Sequence, residues 1–133
     1  MSDKVRWCYR SMLQAQYIGL CLSEGAFILA MDHLKVPKLG RPEFILSNAT
    51  TYYFTNPKQG RTAVVCLRLR PKLTLVQINA LLVHEAVHIW RSELRYMRET
   101  EMPSEEIECY AIQNLAQSLM QEYYNATKRR RKK

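Results

Sequence analysis

Ala80-Leu81-Leu82-Val83-His84-Glu85-Ala86-Val87-His88-Ile89-Trp90 decides how this chain is read. Upstream, Thr74 and Gln77 form a T-x-x-Q capping box, which opens a helix running to about Arg98. Residues four apart on a helix share a face, so the His84 and His88 imidazoles can reach one metal ion. Glu85 stands one step round the helix. It is poorly placed as a third ligand, but it can touch a water on that metal and take its proton. An HExxH pentapeptide arises by chance in roughly 1 in 200 chains of this composition, so its setting must carry part of the argument. The setting is apolar nearly all round, as in a helix packed on two sides. Buried His, Glu and His need partners or a metal. The competing account is a pair of hydrogen-bonded core histidines beside a salt-bridged Glu85.

Outward from this helix the chain reads as a single α+β domain. Residues 3 to 35 are expected to form one long helix. Cys8, Met12, Ala15, Gly19, Leu22, Ala26 and Leu29 recur at spacings of three and four, with Gly19 and Gly25 as points of weakness. The prolines and glycine of Val36–Pro42 mark a connector. Phe44-Ile45-Leu46 and Thr51-Tyr52-Tyr53-Phe54 read as short strands, and Asn56–Gly60 as a turn. Arg61–Leu69 is the clearest strand. It sets Ala63, Val65, Leu67 and Leu69 on one face, and Thr62, Val64, Cys66 and Arg68 on the other. If it is a sheet edge, an extended peptide can add to it as a further strand. After the HExxH helix, a link at Thr100–Ser104 leads into a last helix reaching about Ala126. The small sheet between helices gives the α+β class.

The 133 residues suit one domain, expected over 1–127. Net charge is +8, but it is unevenly spread. Of the 20 basic residues, six form the tail Lys128-Arg129-Arg130-Arg131-Lys132-Lys133, and the body keeps 14 against 12 acidic ones. Residues 128–133 are therefore expected to be a disordered basic tail, able to make weak contact with nucleic acid or another polyanion. Cys8, Cys21, Cys66 and Cys109 form no CxxC pair and sit in apolar stretches. They read as reduced core residues of a cytoplasmic protein. No apolar run is long enough for a membrane span, and no signal peptide is expected.

A catalytic zinc usually takes three protein ligands and keeps one open position. A third histidine six residues after His88 is not available, since position 94 is Leu94. His33, the only other histidine, suits the C-terminal end of the first helix. The last helix offers Glu105, Glu106 and Glu108. Periodicity puts Glu106 on a polar face with Tyr110, Gln113 and Gln117, whereas Glu108 leads the apolar stripe of Ala111, Ile112, Leu115 and Leu119. Glu105 sits at the edge of that stripe. An inward carboxylate needs a partner, and a metal is one. Glu108 is the first candidate for the third ligand and Glu105 the second. Candidates for a second electrophile are Tyr110, Tyr96, Tyr53 and His33, each of which also reads as a packing residue.

His84-Glu85-x-x-His88 followed by a glutamate on the next helix resembles the gluzincin pattern. Glu108-Cys109-Tyr110-Ala111 looks like the short segment that carries the third ligand in small gluzincins, with Cys109 where a small alanine is usual. The order of elements is similar to minimal zincin domains, as in SprT-like and ImmA/IrrE-type peptidases and compact peptidases encoded by bacteriophages. It covers roughly residues 3 to 125, and only the pentapeptide is specific. The resemblance implies a minimal zincin fold: a long N-terminal helix, a small sheet, the HExxH helix and a glutamate helix. It also implies a zinc metallopeptidase acting on a protein or peptide substrate in the cytoplasm (the host's, if phage-encoded), with Zn²⁺ held by His84, His88 and Glu108 and with Glu85 as general base. The alternative is a non-catalytic, zinc-stabilised binding protein whose basic tail contacts nucleic acid. Gly19-Leu20-Cys21-Leu22-Ser23 also resembles the cysteine-ligand segment of peptide deformylases. The residues before Cys21, and Val87 within the pentapeptide, depart from that family's pattern.

Overall fold

The computed structural model describes residues 3–8, 16–45, 47–56, 60–97 and 104–128. Strict alternation along β4 (Gly60–Leu67) organises the fold. Ala63, Val65 and Leu67 face one side of the sheet, and Val64 and Cys66 face the other. Each side is apolar, so each must be covered. One helix, α1 (Glu24–His33), covers the Val64 and Cys66 side. Two helices, α2 (Leu75–Tyr96) and α3 (Glu105–Lys128), cover the other side. Leu82 and Ile89 of α2 and Leu115 and Leu119 of α3 are fully buried there.

The sheet has four strands, in the order β1-β2-β4-β3. β1 (Arg6–Trp7) runs antiparallel to β2 (Tyr17–Cys21), and β2 runs parallel to β4. β3 (Ala49–Asn56) forms an antiparallel pair with β4, from Ala49 opposite Leu67 to Asn56 opposite Gly60. Gly60 takes φ 75°, a left-handed conformation that a side chain resists. The mixed α+β class therefore holds. β4, however, is an interior strand between β2 and β3, not the edge; the edge beside α2 is β3. Thr62 of β4 is buried, so it is not an exposed edge residue.

The first thirty residues correct the expected long helix. In its place stand two strands and a ten-residue helix. Residues 9–15, in the middle of that stretch, lie outside the described residues. The physical reason lies in β2. Ile18 and Leu20 face α2 and α3, while Cys21 faces α1, so the strand is apolar on both faces. A strand buried on both sides shows no polar alternation, and its apolar residues pass for a helical stripe. The helix begins only at Ser23, whose Oγ accepts from the Ala26 amide at 3.1 Å and donates to Asp3 Oδ1 at 2.6 Å. Phe44 and Ile45 form no strand either. They pack against the α1-side cluster, and Leu46 lies outside the described residues. The Pro57–Gln59 turn and most of the Thr100–Ser104 link also lie outside them.

The two later helices follow the sequence closely. Thr74 Oγ1 accepts from the Gln77 amide at 3.1 Å, and Gln77 Oε1 accepts from the Thr74 amide at 2.8 Å. The capping box is complete. α3 ends at Lys128, so the first residue of the expected tail is helical, with its ammonium 5.5 Å from the Tyr124 ring centre. Residues 129–133 lie outside the described ones. No described helix is long and apolar enough to cross a membrane.

Gly19 gives a test that separates strand from helix by sign. In an exposed helix, Gly→Ala would stabilise by about 1 kcal/mol. In β2 an added Cβ would stand 2.9 Å from Trp7 Cζ3 and 3.1 Å from Val5 Cγ1. Gly19→Ala is therefore expected to destabilise, by about 1–2 kcal/mol, because Trp7 must shift. Urea unfolding checks it, and a raised midpoint would contradict the strand.

Candidate metal centre and cleft

The capping box fixes where α2 starts, and its apolar stripe fixes how it lies on the sheet. Together they set the direction of every residue of the pentapeptide. Leu82, Ala86 and Ile89 point inward, and Glu85 points toward β3. His84 and His88 fall on the adjoining face and are exposed. This corrects the expectation of a helix packed on two sides with all three residues buried; only Glu85 of the three is buried, at 4% exposure.

His84 Nε2 and His88 Nε2 stand 3.1 Å apart, with ring centres 4.7 Å apart and planes at 70°. Two nitrogens on a tetrahedral zinc, each at about 2.05 Å, stand about 3.3 Å apart. The two rings thus present both Nε2 atoms at the spacing one zinc requires. The same separation suits an N–H···N hydrogen bond between neutral rings.

Glu85 is fixed from the sheet. Thr51 Oγ1 donates to Glu85 Oε2 at 2.5 Å. Thr51 lies on β3, whose side facing away from β4 pairs with no described strand. Glu85 and Thr51 thus mark a seam between α2 and β3, while the two imidazoles stand exposed on the adjoining face of α2. Thr51 was not singled out from sequence. The signal was present, because alternation along β3 puts Thr51 and Tyr53 on one face.

Further along the seam stands Tyr53, half-buried against the α2-side core. Burial above all, and then the charge of Glu85, push its phenol above the ordinary value; Arg95, Ser92 and Arg61 pull the other way. The phenol stays protonated at neutral pH and can donate a hydrogen bond. Arg61, opposite Thr55 at the start of β4, reaches across to α2. Its guanidinium donates to the buried Ser92 Oγ and lies 5.6 Å from the Tyr53 ring centre and 4.9 Å from that of Tyr96.

Glu108 is half-buried where α3 meets α2. Its Oε2 accepts from Trp90 Nε1 at 3.1 Å, and its Oε1 pairs with Arg91 at 3.4 Å. Arg91 follows His88 by three residues and so shares its face, one turn on. Glu105 and Glu106 are exposed. Among the described residues, no group of three His, Cys, Asp or Glu side chains is gathered as a metal site. The structure thus joins His84 with His88 and Glu85 with Thr51, and holds Glu108 on α3 against Trp90 and Arg91, apart from the histidine pair.

Other candidates fall away from the seam. His33 ends α1 on the far side of the sheet, 5.4 Å from the Trp7 ring centre. Tyr110 is exposed on α3. Cys21 faces α1 with Cys66, so the sheet separates it from the histidine pair and it cannot share a metal with them. Burial pushes the Cys8 and Cys21 thiols up to about 12, which leaves them unreactive. Cys109, expected in the core, is exposed. No known protein family, curated protein or solved structure matches the chain.

Proposed function

We propose that this chain is a zinc-dependent metallopeptidase with a minimal zincin arrangement. The observation that carries the reading is the juxtaposition of the 3.1 Å His84–His88 pair with a buried Glu85 held by an edge-strand hydroxyl. His84 and His88 are two ligands, and Glu108 is the proposed third. Zinc held there would supply a Lewis acid and lower the pKa of a bound water to about 7. Glu85 would accept the proton of that water and return it to the leaving amine as the peptide C–N bond breaks. The Thr51 hydrogen bond holds one Glu85 oxygen and leaves the other for this transfer. Tyr53 is the protonated hydroxyl on the same seam and serves as donor to the carbonyl oxygen. The edge of β3, which pairs with no described strand, offers backbone N–H and C=O groups to an extended peptide.

The reading is tested by incubating the protein with a peptide library and following cleavage by mass spectrometry, with and without a zinc chelator. Chelator-sensitive cleavage supports it. Cleavage unaffected by zinc removal would overturn it.

The ligand assignment has its own test. Glu108→Ala is expected to lower zinc affinity at least about tenfold, and Glu106→Ala to leave it unchanged, because Glu108 contacts Arg91, one turn from His88, whereas Glu106 is exposed. Arg91→Ala releases Glu108 from its ion pair and is expected to strengthen zinc binding. Equal retention by the Glu108 and Glu106 variants removes Glu108 from the set, and Glu105 is tested next.

A further inference from the structure

Arg61 is held in an arrangement that its structural contacts do not fully use. Its guanidinium carries five N–H donors in a planar fork. Among the described residues the Ser92 hydroxyl accepts from them, while the two tyrosine rings cover the group. Among the described residues no carboxylate pairs with it; the ion pairs there are Arg41 with Asp32 and Arg91 with Glu108. The cradle opens to solvent past Tyr96, which is 55% exposed. Two more arginines, Arg91 and Arg95, are exposed on the same helix. A half-buried guanidinium, stiffened by aromatic faces and with no carboxylate partner among the described residues, is preorganised for a carboxylate.

Its position relates it to the proposed cleavage site. Thr51, which holds Glu85, lies two residues from Tyr53 and four from Thr55, the partner of Arg61 in the β ladder. At about 3.4 Å per residue this is a reach of about 7–14 Å along β3. We propose that Arg61 is a carboxylate-binding subsite, receiving an acidic side chain or the C-terminal carboxylate of a peptide two to four residues from the bond at Glu85. The inference rests on the peptidase reading for the location of that bond. The carboxylate site itself can be tested by binding alone.

The experiment uses zinc-loaded Glu85→Gln protein, which retains peptides without turning them over. Three N-acetylated octapeptide libraries are titrated by fluorescence anisotropy. One has fixed glutamates and an amidated C-terminus. One has glutamines at those positions and an amidated C-terminus. One has glutamines and a free C-terminal carboxylate. At least one carboxylate library should bind about tenfold more tightly than the glutamine amide library. The library that does so identifies the carboxylate as side chain or C-terminus. Arg61→Gln should erase the difference, and Arg61→Lys, which lacks the fork, should erase most of it. Arg68→Gln removes the same charge at the far end of β4 and should keep the preference. Melting temperatures of all variants show that each is folded. Equal binding of the three libraries, absence of binding at millimolar peptide, or equal losses in the Arg61 and Arg68 variants would overturn the proposal. Cleavage by the wild type without any carboxylate preference would overturn it while leaving the peptidase reading intact. An Arg61-dependent preference in a protein that cleaves nothing would keep the subsite and count against the peptidase.

Discussion

Glu85→Gln is expected to lower peptide cleavage by at least about 100-fold while zinc content and melting temperature stay close to those of the wild type. Glutamine keeps the side-chain length and an oxygen that can still accept the Thr51 hydroxyl, so the 2.5 Å contact has a replacement. It loses the proton-accepting oxygen, which is what a base requires. The site is 4% exposed, so an unpaired amide N–H there would cost about 1–3 kcal/mol, inside the stability of a domain this size. The measurement is threefold on one variant: cleavage rate, zinc by elemental analysis, and thermal unfolding. A zinc site that only staples helices has no use for a carboxylate beside it, and there the substitution would change none of the three. Wild-type cleavage that persists at full rate in Glu85→Gln would refute Glu85 as the base.

The parts of this molecule that were legible in sequence are those where a local rule and the tertiary setting agree. Thr74 and Gln77 cap α2 because capping is a contact within four residues. β4 is legible because turn residues ending at Gly60 set off its start and a run rich in β-branched residues, with Thr62, Val64 and Val65, follows. α3 shows its stripe because one of its faces is wet. β2 was illegible for the opposite reason. Ile18, Leu20 and Cys21 are buried on both faces, so no polar residue marks the alternation, and Gly19 is explained only by the Trp7 ring against it. The site divides in the same way. His84, Glu85 and His88 are joined by one helix and can be read from spacing. Thr51, Arg61 and Ser92 join that site through the pairing of β3 with β4 and the packing of both on α2, which spacing along the chain does not encode. The exposure of the two histidines was misjudged because the residues around them are apolar, yet Val83 beside His84 is itself exposed.

That exposure decides what removing the ligands does. His84→Ala and His88→Ala are each expected to abolish zinc binding, from about one zinc per chain to almost none, and to leave a folded protein. Both rings stand outside the core, so truncation opens no cavity there, and alanine is the better helix former. The core beneath α2, with Leu82, Ala86 and Ile89 fully buried, is untouched. Zinc should still raise the stability of the wild type by mass action, about 2.7 kcal/mol at a free concentration 100 times Kd. For a domain near this length that is a rise in melting temperature of about 10 °C. The same zinc added to either alanine variant should give no rise. Without zinc, all three proteins should melt within a few degrees of one another. The comparison separates a functional centre from a structural one, because a structural zinc supplies folding energy outright and its loss would unfold the chain. Variants that bind zinc as the wild type does would show instead that the 3.1 Å contact is an N–H···N hydrogen bond and nothing more.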